Sequence, residues 1–346
     1  MNVCFASYQS VMMLKGGPRT QILQTRHCLE QLGVKVSLFE SWRDLEQQQF
    51  DLIHLFGANI GTYHLAREIH KLGIPLVVTP IFFTRRSPFL MRAVVSADRF
   101  LRNVARGTWT DYGLVAEICR WATRVLPNTF KEALLIERGC RIPREKIIVV
   151  PNGVDGRFAH ADPSLFVREF GVDRFILNVG HIGPARKNVL RLIAALETIN
   201  APAVIIGRIE TTEYGLRCQE EAKRNPRLRI LGHLPNDSPL LASAYAAADV
   251  FVLPSMFETP GIAALEAGLA GAKIVITKYG GTEQYFGNHA EYVEPTSCEF
   301  IHHGITTALN KMKNGELRDH IRQNYLWERV GEKTLDAYLL ALEDFI

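Results

Sequence analysis

No run in the 346 residues comes near the 18 consecutive apolar side chains that a membrane-spanning helix requires. Nor does a charged stretch precede an apolar one at the start, where Met1-Asn2-Val3-Cys4-Phe5 reads directly as a strand, so a cytoplasmic location is expected. The six cysteines (Cys4, Cys28, Cys119, Cys140, Cys218 and Cys298) are scattered, without C-x-x-C and without histidines at metal-ligand spacing. That argues against a zinc site or a disulfide framework and leaves buried free thiols in a reducing compartment. There is no G-x-G-x-x-G, which counts against a dinucleotide-binding oxidoreductase, and no D-x-D to hold a divalent ion, so no metal is expected.

What is present suffices for two domains with full cores, since 47% of the 346 residues are hydrophobic. The formal charge of +4 is uneven: residues 1–160 hold 21 Lys and Arg against 13 Asp and Glu, and the remainder 19 against 23. The basic half should face something anionic, with nucleic acid not expected among its partners. Short apolar strands alternate with helical stretches. In the first half they are read at Val3 to Ser7, Val36 to Phe39, Asp51 to Leu55, Leu76 to Thr79, Arg124 to Pro127 and Ile147 to Val150. In the second half they are read at Phe175 to Val179, Ala203 to Ile206, Arg229 to Leu231, Val250 to Leu253 and Lys273 to Thr277. This βαβα rhythm predicts an α/β protein with parallel, doubly wound sheets and ligands beyond the carboxyl ends of the strands.

The strand ends carry the chemistry. After Val250 to Leu253 come Pro254 and a loop bearing Glu258; Thr259 and Pro260 then read as the N-cap and first position of a helix, with Gly261 next. Glu258 and Glu266 are eight positions apart, roughly 80° out of register on one helix at about 100° per residue, which suits Glu258 in the loop and Glu266 on the second turn. Both would border a helix N-terminus, whose free N–H groups and dipole favour an anion, so the geometry suggests a polyol beside a phosphate. Taken alone, the two residues fit a first-turn acid and a solvated helix residue equally well. The following strand ends in Gly280-Gly281-Thr282-Glu283. After Phe175 to Val179 the loop Gly180-His181-Ile182-Gly183-Pro184-Ala185-Arg186-Lys187-Asn188 leads into a helix from Val189, and two adjacent cations at a helix start suit a diphosphate. In the first half, Lys15-Gly16-Gly17-Pro18 precedes a helix read from Gln21, where glycine amides can approach phosphate or sugar hydroxyls.

Together the E-x7-E of Glu258 and Glu266, the Arg186-Lys187 loop and the GG-T-E resemble the donor site of retaining GT-B glycosyltransferases, family 4 (glycosyl transferases group 1). The resemblance covers essentially the whole chain and is strongest from Phe175 to Pro295. It implies a GT-B architecture, two doubly wound Rossmann-like domains facing a cleft: an acceptor-side domain at 1–156, a linker at 157–173, a nucleotide-sugar-binding domain at 174–320, and a helix at 321–346 crossing back to the first domain with Trp327, Lys333 and Tyr338. It further implies that Glu258 borders the transferred sugar, that Glu266 binds the ribose hydroxyls, and that Arg186 and Lys187 hold the diphosphate at the helix start formed by Thr259, Pro260, Gly261 and Ile262. His181 stands where relatives commonly carry an arginine. Leu234, in Gly232-His233-Leu234-Pro235, lies by resemblance beside the nucleobase, Gly16 and Gly17 on the loop facing the donor, and Glu283 under the donor loop. No cofactor is implied beyond the donor itself, a UDP- or GDP-sugar.

Asp51-Leu52-Ile53-His54 resembles the family's D-x-x-H strand, with His54 read as a satisfied core histidine, and Pro151-Asn152-Gly153-Val154-Asp155 matches the close of its first domain. Ile81 occupies a position where many relatives carry a donor-contacting histidine. Between Thr84 and Gly107, Arg92, Arg99, Arg102 and Arg106 are spaced 7, 3 and 4 apart, one stripe on a helix, among the apolar Phe89, Leu90, Val94, Val95, Leu101 and Val104. This is either an ordinary helix with its apolar side in the core or a peripheral contact with an anionic membrane at its inner face, meeting a lipid-linked acceptor. The expected function is transfer of a sugar from a nucleotide diphosphate-sugar to a glycan or lipid-linked acceptor with retention, in polysaccharide or cell-envelope synthesis. His181 and Ile81 keep open a non-enzymatic GT-B partner subunit, and the architecture keeps open a nucleotide-sugar epimerase.

Overall fold

The computed structural model describes residues 1–13, 16–44, 49–104 and 109–345, and the chain divides into two compact units. The first comprises Met1–Gly153 with Trp327–Ile346, the second Val154–Leu326.

In the first unit, strands β1 (Asn2–Ser7), β2 (Lys35–Leu38), β3 (Leu52–Phe56), β4 (Leu76–Thr79) and β5 (Arg124–Val125) form one parallel sheet in the order β2-β1-β3-β4-β5. Helices α1 (Gly17–Gln31), α2 (Ile60–Lys71), α3 (Pro88–Val104), α4 (Asp111–Trp121) and α5 (Phe130–Leu134) connect or follow them. Alternation along the strands splits the core in two: Cys4, Ala6, Ile53 and Leu55 face one apolar layer, Val3, Phe5, Leu52 and Phe56 the other. Ile147 to Val150, read as a sixth strand, makes only a single bridge from Ile147 to Val125, because β5 itself is two residues long. Helix α1 begins at Gly17 rather than near Gln21, with Pro18 in its first turn, where a missing N–H costs nothing. Lys15 lies outside the described residues.

The second unit repeats the plan with β6 (Ile176–Val179), β7 (Ala203–Ile206), β8 (Leu228–Leu231), β9 (Val250–Leu253), β10 (Lys273–Thr277) and β11 (Ala290–Val293) in the order β11-β10-β9-β6-β7-β8, all parallel. Its helices are α6 (Ser164–Phe170), α7 (Val189–Leu196), α8 (Glu213–Lys223), α9 (Pro239–Ala247), α10 (Ile262–Leu269), α11 (Thr282–Phe286), α12 (Cys298–Asn310) and α13 (Glu316–Asn324). The segment 157–173, expected as a linker, belongs to this unit. Its Phe158 and Phe166 are fully buried in the core with Phe175 and Tyr245, an apolar anchor that outweighs its polar remainder. Strand β11 went unread, since its Ala-Glu-Tyr-Val is only half-buried at the sheet edge.

The chain leaves the second unit beside the point where it entered. Val154 and Leu326 form a parallel bridge, and the Val154 N–H donates to the Tyr325 carbonyl at 2.8 Å. Beyond it, α14 (Trp327–Glu343) packs on α1 of the first unit, so closely that a Cβ at Gly331 would lie 2.7 Å from Cys28 Cβ. Its Trp327, Val330, Ala337, Tyr338 and Ala341 complete the apolar layer under β1 and β3. The crossing element therefore starts at Trp327, after α13, rather than at 321.

His54 is the core histidine expected: 1% exposed, with Nδ1 2.6 Å from the Tyr338 hydroxyl and Nε2 2.8 Å from Thr79 Oγ1. Burial pushes its pKa down to about 3, so the ring is neutral. Tyr338→Phe strands one ring nitrogen in the core and is expected to cost about 1–3 kcal/mol in urea unfolding, whereas Lys333→Ala, at an exposed position on the same helix, should change stability by less than about 0.5 kcal/mol.

The arginine stripe on α3 is not one solvated row. Arg102 turns inward to Asp98 at 2.5 Å and Glu117 at 2.8 Å and covers the Trp109 ring at 4.5 Å, while Arg92 and Arg99 stay exposed. Arg106 lies outside the described residues.

Candidate functional site

Strand order locates the second unit's ligand crevice. From β6 the chain builds outward through β7 and β8, then returns to lay β9 on the other side of β6, so the loops after β6 and β9 leave neighbouring strands at the point where the winding reverses. Open α/β sheets bind ligands at that switch point.

Hydrogen bonds and ion pairs lace the two loops together. The Arg186 carbonyl accepts the Met256 N–H at 2.8 Å, and Arg186 Nη1 donates to the Phe257 carbonyl at 3.0 Å. Asn188, in the left-handed region at φ +60°, donates through Nδ2 to the carbonyls of Pro254 at 2.9 Å and Pro295 at 2.7 Å. Lys187 Nζ donates to Glu258 Oε1 at 2.6 Å, with Arg186 Nη1 3.8 Å from the same oxygen. Burial alone would raise the pKa of Glu258, but Lys187 and then Arg186 outweigh it and hold the carboxyl below its ordinary value. The result is an ionised carboxylate under two cations, with the Arg186 side chain still 42% exposed and its guanidinium over the Phe257 ring.

The GG-T-E turn fixes the backbone of Glu258. Glu258 N–H donates to the Tyr279 carbonyl at 3.0 Å and the Glu258 carbonyl accepts from Gly281 N–H at 2.9 Å, a bridge between Glu258 and Gly280. Gly280 sits at φ +104°, and a Cβ there would fall 1.9 Å from the Glu258 carbonyl oxygen. Only glycine allows that approach. Thr282 Oγ1 donates to the Thr277 carbonyl at 2.8 Å, closing the turn, and Glu283 stands in the first turn of α11.

Glu266 occupies the second turn of α10 and is 4% exposed. Its two oxygens accept from Asn236 Nδ2 at 2.7 Å and the Tyr245 hydroxyl at 2.8 Å, and Asn236 is itself held by Arg157. Burial pushes its pKa up to about 7 against those hydrogen bonds. The helix does not start as expected. Thr259 is not its N-cap nor Pro260 its first residue: the Thr259–Pro260 peptide is cis, and α10 begins at Ile262 with Gly261 at φ +85° as N-cap. His181 lies after β6 with Nδ1 3.6 Å from Glu210, and Leu234 is half-buried against the unit's apolar core.

In the first unit, Gly16 is the extended N-cap of α1, with no side-chain cap and no atom within 4 Å of a Cβ built there, and Gly17 opens the helix. The loop after β1 is likewise at a switch point, between β1 and β3. A residue the sequence reading passed over, Glu132, organises this edge. It is fully buried and accepts backbone N–H groups from Phe82 at 2.7 Å and Asn128 at 2.8 Å, tying together the loops after β4 and β5, and burial pushes its pKa up to about 7. Asn128 Oδ1 in turn accepts from Gln21 Nε2 at 2.8 Å. The signal was Thr129-x-x-Glu132, a capping-box spacing, with Thr129 accepting from Glu132 N–H at 3.0 Å. Ile81, in the loop held by Glu132, is at φ +51°, a conformation β-branched residues seldom adopt.

Comparison with known proteins identifies the family. The profile of Glycosyl transferases group 1 matches residues 167–325, and that of Glycosyltransferase Family 4 matches residues 16–157. An uncharacterized glycosyltransferase of Methanocaldococcus jannaschii is 29% identical over 60% of this chain, which spans only 58% of that protein's length. A D-inositol 3-phosphate glycosyltransferase of Pseudarthrobacter chlorophenolicus is 26% identical over 90% of this chain and 76% of its own. Among solved structures, Anabaena Alr3699/HepE, crystallised with UDP and glucose, superimposes with a TM-score of 0.71 at 17% identity, covering 97% of this chain and 98% of its own. With both family profiles matched in chain order and two doubly wound parallel sheets, this chain belongs to the GT-B fold glycosyltransferases of family 4, glycosyl transferases group 1.

Proposed function

We propose that the protein moves a sugar from a nucleotide diphosphate-sugar to a glycan or lipid-linked acceptor with retention at the anomeric carbon, in polysaccharide or cell-envelope glycan synthesis. The observation that carries this reading is the pairing of Arg186 and Lys187 with the buried Glu258 at the switch point of the second unit. As the bond from the anomeric carbon to the diphosphate breaks, negative charge gathers on the leaving oxygens, and preorganised cations beside the α10 N-terminus stabilise it. Lysine has three donors, so Lys187 can hold Glu258 and a phosphate oxygen together. Glu258 positions the sugar, Gly16 and Gly17 offer amides on the acceptor side, and no protein nucleophile is assigned. The chain's own cations take the part a metal would play, so magnesium is expected to make no difference.

Each Glu266 oxygen accepts one protein donor and keeps a lone pair for a ribose hydroxyl. A hydroxyl donates more strongly to the ionised carboxylate, and with the Glu266 pKa at about 7, nucleotide affinity should rise between pH 6 and pH 8. Glu266→Ala is expected to weaken nucleotide binding at least about tenfold at pH 8, in keeping with roughly 1.5 kcal/mol or more for a hydrogen bond to a charged group, and Glu266→Gln to lose the part of the pH dependence that this carboxyl contributes. Unchanged affinity in the alanine variant would sink the ribose assignment.

The reading as a whole is tested by calorimetry with UDP, GDP and ADP, each with and without magnesium. UDP is the first choice because Alr3699/HepE was crystallised with it. Tight binding of UDP or GDP without metal is the expected result. Binding by none of them would overturn the transferase reading in favour of a non-catalytic subunit, and conversion of the donor's sugar without an acceptor would replace it with an epimerase.

A further inference from the structure

Helix α3 presents its apolar surface to solvent, the reverse of an ordinary core helix. Phe89 is 81% exposed, Phe100 68% and Val104 74%, and Leu90 and Leu101 are exposed as well. At about 100° per residue these five fall within one arc of about 120°, with the exposed Ala93 and Ala97 between them. The opposite arc, Met91, Val95 and Asp98, is buried in the first unit, so the helix is anchored and its outward face is fixed. Arg92 and Arg99 line one flank of the outward arc, exposed and making no ion pair among the described residues. Between residues 80 and 110 the sequence holds six arginines and a single acid, and that acid, Asp98, faces inward to Arg102.

An apolar stripe with a cationic flank and no outward acid matches the boundary between anionic headgroups and acyl chains, where aromatic and aliphatic side chains enter and arginines meet phosphate. A second copy of this face would set arginines against arginines, and an acidic protein groove would leave the stripe without acyl partners. We infer that α3 is a peripheral membrane-docking helix that seats the first unit on an anionic bilayer through Phe89, Phe100 and Val104. It deepens the proposed function in one respect, resting on that reading for the idea that the acceptor is lipid-linked; the docking itself needs neither donor nor acceptor.

The test is flotation of the full chain with vesicles of phosphatidylcholine alone and of phosphatidylcholine with phosphatidylglycerol, with no nucleotide present. Binding is expected only to the anionic vesicles. Phe89→Ser with Phe100→Ser, both exposed and harmless to the fold, should weaken it at least tenfold, and Arg92→Glu with Arg99→Glu comparably. Phe300→Ser, at an exposed aromatic of the second unit, should leave it unchanged. No binding by the wild type, or binding that survives the double serine variant, overturns the inference. So does a dimer in light scattering that the serine variant dissolves, which would make the face a contact between copies. The vesicle assay and the nucleotide calorimetry fail independently, so loss of one leaves the other standing.

Discussion

Replacing Lys187 by methionine is expected to lower kcat by about 10²–10³, the effect of removing one preorganised donor from a developing anion, roughly 3–4 kcal/mol. The loss has two sources in the geometry. One is the missing cation for the leaving diphosphate. The other is Glu258, whose burial is then offset chiefly by Arg186, 3.8 Å away, so its pKa rises. Because the folded-state pKa of Glu258 is held down in the wild type, the pair contributes stability that is present above the carboxyl's unfolded pKa and disappears as pH falls through the folded one. The variant should therefore be less stable at pH 7.5 and match the wild type in strong acid. Adding Glu258→Gln should restore stability without restoring rate. A kcat within threefold of wild type in the single variant would refute the assignment of Lys187.

Gly280→Ala is expected to damage the second unit severely. A methyl group would stand 1.9 Å from the Glu258 carbonyl oxygen on a backbone at φ +104°, and both cannot be relieved by a side-chain movement. We expect about 3 kcal/mol or more of lost stability in urea unfolding, together with slower transfer as Glu258 shifts off Lys187. Gly315→Ala separates the two causes: at φ +78° with nothing within 4 Å of the new methyl, it should cost only about 1–2 kcal/mol from backbone conformation. Equal losses in the two variants would mean that the close approach to Glu258 contributes nothing.

The glycine pair also marks what could be read before the fold was in hand. Buried strands such as Leu76–Thr79, Ala203–Ile206 and Lys273–Thr277 were legible to the residue, because both faces are covered and the runs are continuously apolar. The Arg186-Lys187 and Glu258 motifs were legible too, because charged residues at strand ends stand out against such runs. What local sequence could not convey was partnership across distance. Nothing near residue 266 announces Tyr245 or Asn236, nothing in Asn188 its grip on Pro254, and nothing in Gly280 that its neighbour is the carbonyl of Glu258. The α3 face was left open between core and membrane for the same reason: arginine spacing alone cannot tell which arc the core takes, and it is the burial of Met91, Val95 and Asp98, with Arg102 drawn inward, that decides it. Thr259-Pro260 reads as a helix start, but Gly261 is the N-cap and Ile262 the first residue of α10.

The return of α14 means that the first unit can be completed only after the second. Residues 154–326 are contiguous, with their ends joined by the Val154–Leu326 bridge, and hold every strand of their own sheet, so that unit can close as soon as it has emerged. The first unit, although synthesised earlier, lacks Trp327, Tyr338 and Ala341 from its apolar layer and leaves His54 without its tyrosine until the nascent chain has passed residue 338. Until then part of the apolar layer under β1 and β3 stays uncovered, although all five strands of that sheet are already made, so the first unit rather than the second is expected to engage a holding chaperone during translation.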